Sequence, residues 1–330
     1  MIYFIYTLLA AGVITFSVKL SFYVDELDKK TNISGAFLGG VILAAITSLP
    51  ELFTSISSTI FIKEANLVEG NILGSNMFNL TIYGCLVLFG IGTFKNVKIT
   101  SSHRNTLKLL LVIYGILFVA NSIGRDFTFF GVSFFSIAIL ILYLKGAKTM
   151  SIDEGSEDEE QWSSDLAVKQ IMIRFIILTI ALIICSICIT IATDIIANKL
   201  NLEVTLAGAL LLGVATSLPE LTTSIALVKK RNFNAMTGNL FGSNLFNCGI
   251  LFLADIMYIK GSVYQPSKQG YLLIVFGFIC TIVTYGMLKF KSESGKTAEG
   301  IKNSSLPYAL ASMTIVLSYV TYVMVSINGY

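Results

Sequence analysis

Two glutamates stand in the middle of apolar stretches, where a carboxylate needs a cation or a proton beside it. Glu51 follows the residues AITSLP and Glu220 follows VATSLP, so each glutamate comes directly after a proline. An ionised carboxylate among apolar residues is costly unless a positive charge compensates it. Neither stretch contains a lysine or an arginine, so we expect that charge to come from outside the chain. We therefore interpret both glutamates as ion ligands rather than as structural residues.

The proline before each glutamate is expected to supply oxygen ligands of a second kind. Proline has no backbone N–H and disrupts the helical turn before it, which frees carbonyl groups at or just before Thr47 and Thr216. Carboxylate and carbonyl oxygens are hard ligands, suited to Na⁺ and Ca²⁺ rather than to soft transition metals. The pattern predicts a site for hard cations that are transported, and no permanently bound cofactor.

Polar side chains extend from the two glutamates along one face of each stretch. Intervals of three and four residues share one side of a helix, at Thr47, Ser48, Glu51, Thr54 and Ser55 and again at Thr216, Ser217, Glu220, Thr223 and Ser224. In the stretch that follows each copy, polar residues recur every four positions, at Asn71, Ser75 and Asn79 and at Asn239, Ser243 and Asn247. Polar residues can also simply join helices, which is the role we expect for Asn71, Asn76, Asn239 and Asn244.

These motifs form an internal duplication. Residues 32–80 contain TSLPEL followed by GNILGSNMFN, and residues 201–248 contain TSLPEL followed by GNLFGSNLFN. The second copy begins five apolar segments after the first, and because this number is odd, the second copy is expected to enter a membrane from the opposite side. Inverted repeats of this kind are the architecture of secondary transporters, which work by alternating access.

Composition places the chain in a lipid bilayer. Of its 330 residues 55% are hydrophobic and 13% are charged, about half of the charged share of a soluble protein. Ten apolar segments are expected near residues 2–24, 34–60, 66–92, 105–122, 127–145, 170–197, 204–228, 236–259, 270–288 and 305–327. We therefore predict an all-α membrane protein with ten transmembrane helices, arranged as two inverted five-helix repeats. The net charge of +3 does not indicate a nucleic-acid partner.

The distribution of basic residues predicts the orientation. Seventeen lysines and arginines lie in or beside the connectors after the odd-numbered segments, and five lie on the opposite side. Cytoplasmic loops carry such an excess, so both termini are expected to be extracellular in a cell membrane. The repeats then cover residues 1–150 and 170–330, and the acidic connector 151–169 is a cytoplasmic linker. A calcium-sensing role for this connector is the alternative, but it lacks the ligand spacing of an EF-hand.

With these motifs, the chain resembles the calcium/cation antiporter superfamily and, within it, the prokaryotic sodium/calcium exchangers. The resemblance rests on TSLPEL and GN-x-x-GSN-x-FN, each present twice in the order of that family's two alpha repeats. It implies ten helices, with segments two, three, seven and eight lining the ions. Two departures stand out: Ile46 and Ala215 replace the glycine that usually precedes TSLPE, and Asn247 stands where some exchangers carry an aspartate.

The resemblance also implies a role for each matching residue. Glu51 and Glu220 correspond to the central calcium ligands, and the carbonyls near Thr47 and Thr216 add to that site. The hydroxyls that correspond to flanking sodium sites belong to Ser48, Ser75, Ser217 and Ser243. The amides that line the middle belong to Asn79 and Asn247.

We therefore expect a secondary active antiporter that exchanges Ca²⁺ for Na⁺, with segments one and six sliding against the rest. Coupling to H⁺ is an open alternative, because glutamates without basic partners can carry protons, and another divalent cation could replace Ca²⁺. A passive cation channel is a less favoured alternative, since a pore does not require inverted repeats. An enzyme is not expected, because the chain shows no cofactor fingerprint and no recognisable nucleophile–base pair.

Three further features receive structural interpretations. Lys19, within the first segment, could be a charge partner of the ion site, but we favour a lysine that snorkels or that lies on a helix sliding along the bundle surface. Cys185 and Cys188 form a CxxC without a second pair or nearby histidines, which argues against a zinc or redox site. The one histidine, His103, is expected in a polar connector, which excludes a buried histidine proton relay.

Overall fold

Helices make up almost all of the described chain, because apolar segments satisfy their backbone N–H and C=O groups internally. The computed structural model describes residues 1–31, 40–123, 127–129, 131–153, 166–259, 261–294 and 304–328. The α-helices are α1 (Ile2–Thr31), α2 (Gly40–Thr47), α3 (Leu49–Ser57), α4 (Ala65–Phe89), α5 (Ile91–Phe94), α6 (Ser101–Ile123), α7 (Phe134–Asp153), α8 (Val168–Leu200), α9 (Val204–Ala207), α10 (Gly213–Thr216), α11 (Leu218–Lys229), α12 (Phe233–Met257), α13 (Lys268–Ser294) and α14 (Leu306–Ile327). Two π-helical turns, Ser58–Ile62 and Gly208–Leu212, follow α3 and α9.

The described helices include seven that are long and apolar enough to cross a bilayer. They are α1, α4, α6, α8, α12, α13 and α14, and the bent pair Val204–Thr216 and Leu218–Lys229 makes an eighth if it is one span. These lengths and compositions are those of a multi-pass helical membrane fold. The second predicted segment is represented by α2 and by the shorter apolar helix Leu49–Ile62, which consists of α3 and the π-helical turn after it. Its first residues, and most of the acidic linker, lie outside the described part of the chain.

The fifth predicted segment begins differently from our expectation. We predicted a helix from residue 127, but Thr128–Phe129 and Val132–Ser133 pair as two short antiparallel strands, β1 and β2. Gly131, with a φ of +81°, lies in the turn between them, a conformation that favours glycine. The backbone N–H of Ser133 donates to Asp255 Oδ2 at 2.8 Å. These interactions delay the start of α7 to Phe134 and add a hairpin to an otherwise helical chain.

The helices differ strongly in burial. In the most apolar 18-residue stretch of each helix, 78% of the residues of α4 and 72% of those of α12 are buried. The corresponding shares are 11% for α1 and 28% for α8. The large hydrophobic core joins α4, α6, α12, α13 and α14. A smaller cluster joins α1 and α8 to the central helices, and its members include Val13, Leu182, Leu67 and Ala215. The two duplicated GN-x-x-GSN helices therefore form the centre, and α1 and α8 pack together at the periphery.

Glycines allow α4 to lie directly against the chain from α9 to α10. A Cβ at Gly74 would lie 2.5 Å from the Cα of Ala209, and one at Gly213 would lie 2.9 Å from the backbone N of Ser75. A Cβ at Gly70 would likewise clash with the backbone carbonyl of Thr205. Because no larger residue fits at these crossings, the polar side chains of α4 reach those of α10 and α11.

Candidate ion-binding site

Both predicted helix breaks are present, and they have the same geometry. Ser48 separates α2 from α3 with φ −88° and ψ 9°, and Ser217 separates α10 from α11 with φ −90° and ψ 2°. Across Ser217 the helix axis bends by 42°. In each copy a proline occupies the first turn of the following helix, where its missing N–H costs little. The glutamate after it is therefore held at the start of a helix, inside the protein.

The two glutamates are bound by serines of the opposite copy. Ser48 Oγ donates to Glu220 Oε1 at 3.1 Å, and Ser217 Oγ donates to Glu51 Oε1 at 3.2 Å. All four side chains are fully buried. The carboxylates lie close enough for their charges to interact. The site is thus built across the pseudo-two-fold relation between the copies.

The threonines that precede these serines make a second pair of crossed contacts. Thr47 Oγ1 lies 3.2 Å from Ser243 Oγ, and Thr216 Oγ1 lies 3.3 Å from Ser75 Oγ. Each of these serines also reaches a backbone carbonyl one helical turn before the opposite threonine. Ser75 Oγ donates to Gly213 O at 3.2 Å. The equivalent bond, from Ser243 Oγ to Ala44 O, is 3.4 Å long.

Asparagines join the two central helices by reciprocal bonds. The amide of Asn76 donates to the carbonyl of Asn244 at 3.2 Å, and that of Asn244 to the carbonyl of Asn76 at 3.0 Å. Asn79 Nδ2 donates to Asn244 Oδ1 at 2.9 Å, and Asn247 Nδ2 to Asn76 Oδ1 at 3.0 Å. These bonds hold the side chains of Asn79 and Asn247 through their N–H groups and leave their amide oxygens without a hydrogen-bond partner.

Four oxygens related by the duplication are buried and have no hydrogen-bond partner. They are Glu51 Oε2, Glu220 Oε2, Asn79 Oδ1 and Asn247 Oδ1. Among the described residues no lysine or arginine pairs with either glutamate. Since hydroxyl, carbonyl, amide and carboxylate oxygens surround them, the chemistry of the site is that of a hard cation. In the described part of the chain, no three His, Cys, Asp or Glu side chains cluster so that they could hold a metal ion. Many transition-metal sites have such a cluster.

The first asparagine of each motif attaches its helix to the broken one. Asn71 Nδ2 donates to Thr54 Oγ1 at 2.9 Å and to Ser55 Oγ at 3.2 Å. In the second copy, Asn239 Nδ2 donates to Ser224 Oγ at 3.2 Å. These bonds join helices, which is the role we expected for both asparagines.

The structure shows where His103, Lys19 and the two CxxC cysteines lie, and it corrects our expectation for His103. His103 is fully buried in the first turn of α6, not in a polar connector, and its Nε2 lies 3.2 Å from Asn234 Oδ1. This contact links α6 to α12. Lys19 is exposed on α1 beside Arg174 of α8. Cys185 and Cys188 are free thiols.

Sequence reasoning did not single out the buried carboxylates outside the central pair, among them Glu69. Glu69 lies one turn into α4 and is 5% exposed. Its position in the third apolar segment, two residues before Asn71, was an available signal of the kind that singled out Glu51 and Glu220.

The comparisons with known proteins agree with this architecture. The model of the family described as "Sodium/calcium exchanger protein" matches residues 1–147 and 171–328. Inner membrane protein YrbG of Escherichia coli K12 is 25% identical over 287 residues, which are 79% of this chain and 83% of that protein.

Two solved structures share the fold. The H⁺/Ca²⁺ exchanger CAX aligns with a TM-score of 0.70 at 14% identity, covering 99% of this chain and 90% of CAX. The sodium-calcium exchanger NCX_Mj aligns with a TM-score of 0.58 at 19% identity, covering 98% of this chain and 99% of NCX_Mj. Because the family match spans both duplicated halves and their crossed carboxylate site, this chain belongs to the sodium/calcium exchanger protein family of cation-exchanging membrane transporters.

Proposed function

We propose that this protein is an antiporter that exchanges Ca²⁺ for Na⁺ across the cell membrane by alternating access. The observation that carries the proposal is the pair Glu51 and Glu220, each buried and each bound by a serine of the opposite copy. Two carboxylates neutralise one Ca²⁺ or two Na⁺, so the same oxygens can serve both ions by turns. Exchange follows from this competition.

The free oxygens support a division of roles within the site. Glu51 and Glu220 would hold Ca²⁺ through the carboxylate oxygens that lack hydrogen-bond partners, and the amide oxygens of Asn79 and Asn247 would complete the centre. The hydroxyl pairs on either side would hold Na⁺, one formed by Thr47 and Ser243 with Ser48, and the other by Thr216 and Ser75 with Ser217. Hydroxyl and carbonyl oxygens without a negative charge suit a monovalent ion.

H⁺ is the alternative coupling ion, since buried glutamates without basic partners can carry protons. Na⁺ is favoured because the serine and threonine hydroxyls flank each glutamate symmetrically, an arrangement that proton transfer to a carboxylate does not need. Another divalent cation of similar hardness, Mn²⁺ or Mg²⁺, is the alternative to Ca²⁺. A passive channel is disfavoured because the crossed bonds of the two copies leave the carboxylates fully buried.

We further propose ten transmembrane helices in two inverted repeats, covering residues 1–150 and 170–330. In this assignment α2 and α3 form the second span and α7 the fifth, in addition to the seven apolar helices and the bent pair. The excess of basic residues after odd-numbered segments supports extracellular termini and a cytoplasmic acidic linker.

Alternating access would arise from α1 and α8 sliding against the other helices. Most residues of both helices lie outside the buried part of the bundle, and the two share an apolar cluster that also contacts the central helices through Ile46, Leu67 and Ala215. Specific anchoring to the centre is sparse on α1: Tyr6 Oη donates to Leu211 O at 2.6 Å, in the π-helical turn before α10. A pair that packs mainly through apolar side chains can shift at low cost.

Uptake of radiolabelled Ca²⁺ into proteoliposomes tests the function. Vesicles are loaded with Na⁺, or with choline under a separate pH gradient, and wild type is compared with Glu51→Gln and Glu220→Gln. We expect uptake that requires internal Na⁺ and disappears in both variants. Glu293→Gln, which removes an exposed carboxylate at the end of α13, is the matched control and should transport normally. Uptake driven only by the pH gradient would instead establish H⁺ coupling, and uptake without any counter-ion would contradict an antiporter.

A further inference from the structure

A carboxylate that does not belong to the pair described above is buried near one end of α4. Glu69 of α4 is 5% exposed, and Asn121 Nδ2 at the end of α6 donates to its Oε1 at 3.4 Å. Its second oxygen, Oε2, is buried without a hydrogen-bond partner. No lysine or arginine of the described chain forms an ion pair with it. An anion in this position lacks compensation from the protein.

Glu69 does not belong to the central ion site. Asn71, two residues further along α4, faces α3 and lies 3.4 Å from Thr216. Glu69 faces other neighbours: its carboxylate contacts α6 through Asn121 and α13 through Gly270. Because residues two apart in a helix point to different sides, the side chains of Glu69 and Asn71 have different neighbours.

Oxygen atoms from α4, from α9 and from the residue before α13 lie close together here. Glu69 Oε2 and Ser267 Oγ both pack against Gly270, since a Cβ there would lie 2.5 Å from the first and 2.9 Å from the second. Ser267 Oγ lies 3.1 Å from Thr205 Oγ1, and Thr205 Oγ1 donates to Glu203 Oε1 at 2.9 Å. A continuous row of oxygens thus runs from the buried Glu69 to Glu203.

Glu203 gives this row access to the surface. It is exposed at the start of α9, where its Oε2 accepts the backbone N–H of Leu206 at 3.0 Å. Glu69 and Glu203 lie near enough for their negative charges to repel each other. Two carboxylates and two hydroxyls, with one end open to solvent, form a cluster of oxygens with excess negative charge, beside which the Asn121 amide donates an N–H to Glu69. Such an environment favours a hard cation.

We propose that Glu69, Glu203, Thr205 and Ser267 form a second cation site that binds Ca²⁺ and ties together α4, α9 and α13. A bound divalent ion neutralises both carboxylates and connects helices that belong to different halves of the duplication. The site does not face Glu51 and Glu220, so its role is to stabilise the bundle rather than to carry the transported ion. This proposal stands independently of the Na⁺/Ca²⁺ exchange proposed above.

Ca²⁺-dependent thermal unfolding of the purified full-length protein tests the second site. In the double variant Glu51→Gln/Glu220→Gln the central carboxylates are neutral, and we expect Ca²⁺ still to raise the unfolding midpoint, because an ion that binds only the folded state stabilises it. Adding Glu69→Gln should remove that increase and weaken equilibrium binding of radiolabelled Ca²⁺ by about tenfold or more. Glutamine keeps the shape of the side chain, so the midpoint without Ca²⁺ should change little.

Glu64→Gln, a partly exposed carboxylate just before α4, is the matched control and should leave the Ca²⁺ response of the double variant unchanged. A folded double variant that does not respond to Ca²⁺ would overturn the proposal. A response that survives Glu69→Gln would overturn it as well. If the central glutamates do not bind Ca²⁺, the ion will raise the unfolding midpoint of wild type and double variant equally. The loss of that increase on adding Glu69→Gln will still identify the second site.

Discussion

Ser48 and Ser217 bind the glutamate of the opposite repeat, so neither half of the site is complete without the other. A hydroxyl that donates to a carboxylate orients one oxygen and leaves the second one available. In both copies that second oxygen is free of hydrogen bonds. The residues of the site are therefore held in position before any ion arrives, which lowers the cost of binding.

Removing either serine hydroxyl should weaken ion binding to a similar extent. Ser48→Ala or Ser217→Ala deletes one hydrogen bond to a charged group, which contributes about 1.5–3 kcal/mol. We expect Ca²⁺ affinity to fall by about tenfold to a hundredfold in each variant, measured by equilibrium binding of radiolabelled Ca²⁺. Thr222→Ala is the control, because its exposed hydroxyl bonds only to Leu218 O of its own helix. Strongly unequal losses would contradict a symmetric site.

At the scale of elements, the polar faces meet because glycines bring the helices together. Gly70 and Gly74 of α4 lie against Thr205 and Ala209, and Gly213 lies against Ser75. The hydrogen bond from Ser75 Oγ to the carbonyl of Gly213 depends on this close crossing. A helix pair separated by larger side chains would not place the hydroxyl and the carbonyl within reach.

Gly74→Ala is expected to destabilise the protein by about 1–3 kcal/mol, as overpacking of a close contact does. The added Cβ would lie 2.5 Å from Ala209 Cα, so the backbone of α4 or of the π-helical turn has to move. The measurement is the thermal unfolding midpoint in detergent. Gly115→Ala in α6 is the control, because nothing lies within 4 Å of its Cβ position. There, alanine should stabilise the helix by about 0.5–1 kcal/mol. Equal responses would show that the crossing is not tight.

At the scale of the whole molecule, the described helices surround a buried centre. α4 and α12 are mostly enclosed, whereas most residues of α1, α8 and α14 lie outside the buried part of the bundle. α1 and α8 meet the central helices through an apolar cluster that includes Ile46, Leu67 and Ala215. The pair that we propose moves therefore contacts the ion-binding helices largely through apolar side chains.

Cross-linking tests this proposed movement in a variant whose native cysteines are replaced. Joining Tyr6→Cys of α1 to Leu211→Cys with a bifunctional thiol reagent that spans the length of the tyrosine side chain, whose hydroxyl reaches the Leu211 carbonyl, should stop Ca²⁺ transport and leave equilibrium Ca²⁺ binding intact. Joining Phe118→Cys of α6 to Tyr271→Cys of α13, whose parent rings lie 5.1 Å apart at their centroids, should leave transport unchanged. Normal transport with the first pair cross-linked would rule out sliding of α1.

Much of the fold was predictable from the sequence because the signals were local. Long apolar segments predicted α4, α6, α8, α12 and α14 within about four residues, whereas α1 and α13 continue further past their apolar segments. The prolines predicted the two helix breaks, which lie at Ser48 and Ser217. The hairpin before α7 was not predicted, since its apolar residues match a membrane helix and only the turn at Gly131 and the contact with Asp255 oppose it. His103 is buried because it packs against α12, and the residues around it in the sequence do not indicate this contact.

The sequence by itself determined which residue types repeat and where a carboxylate would stand without a basic partner, because periodicity, duplication and charge are properties of the chain alone. Only the tertiary structure decided that Ser48 binds Glu220 and Ser217 binds Glu51 rather than the glutamates of their own helices. It also placed Glu69 beside Thr205, Ser267 and Glu203, residues far apart in the chain. Such partners follow from how glycine-lined helices cross, and a crossing depends on packing between distant segments, which no local pattern encodes.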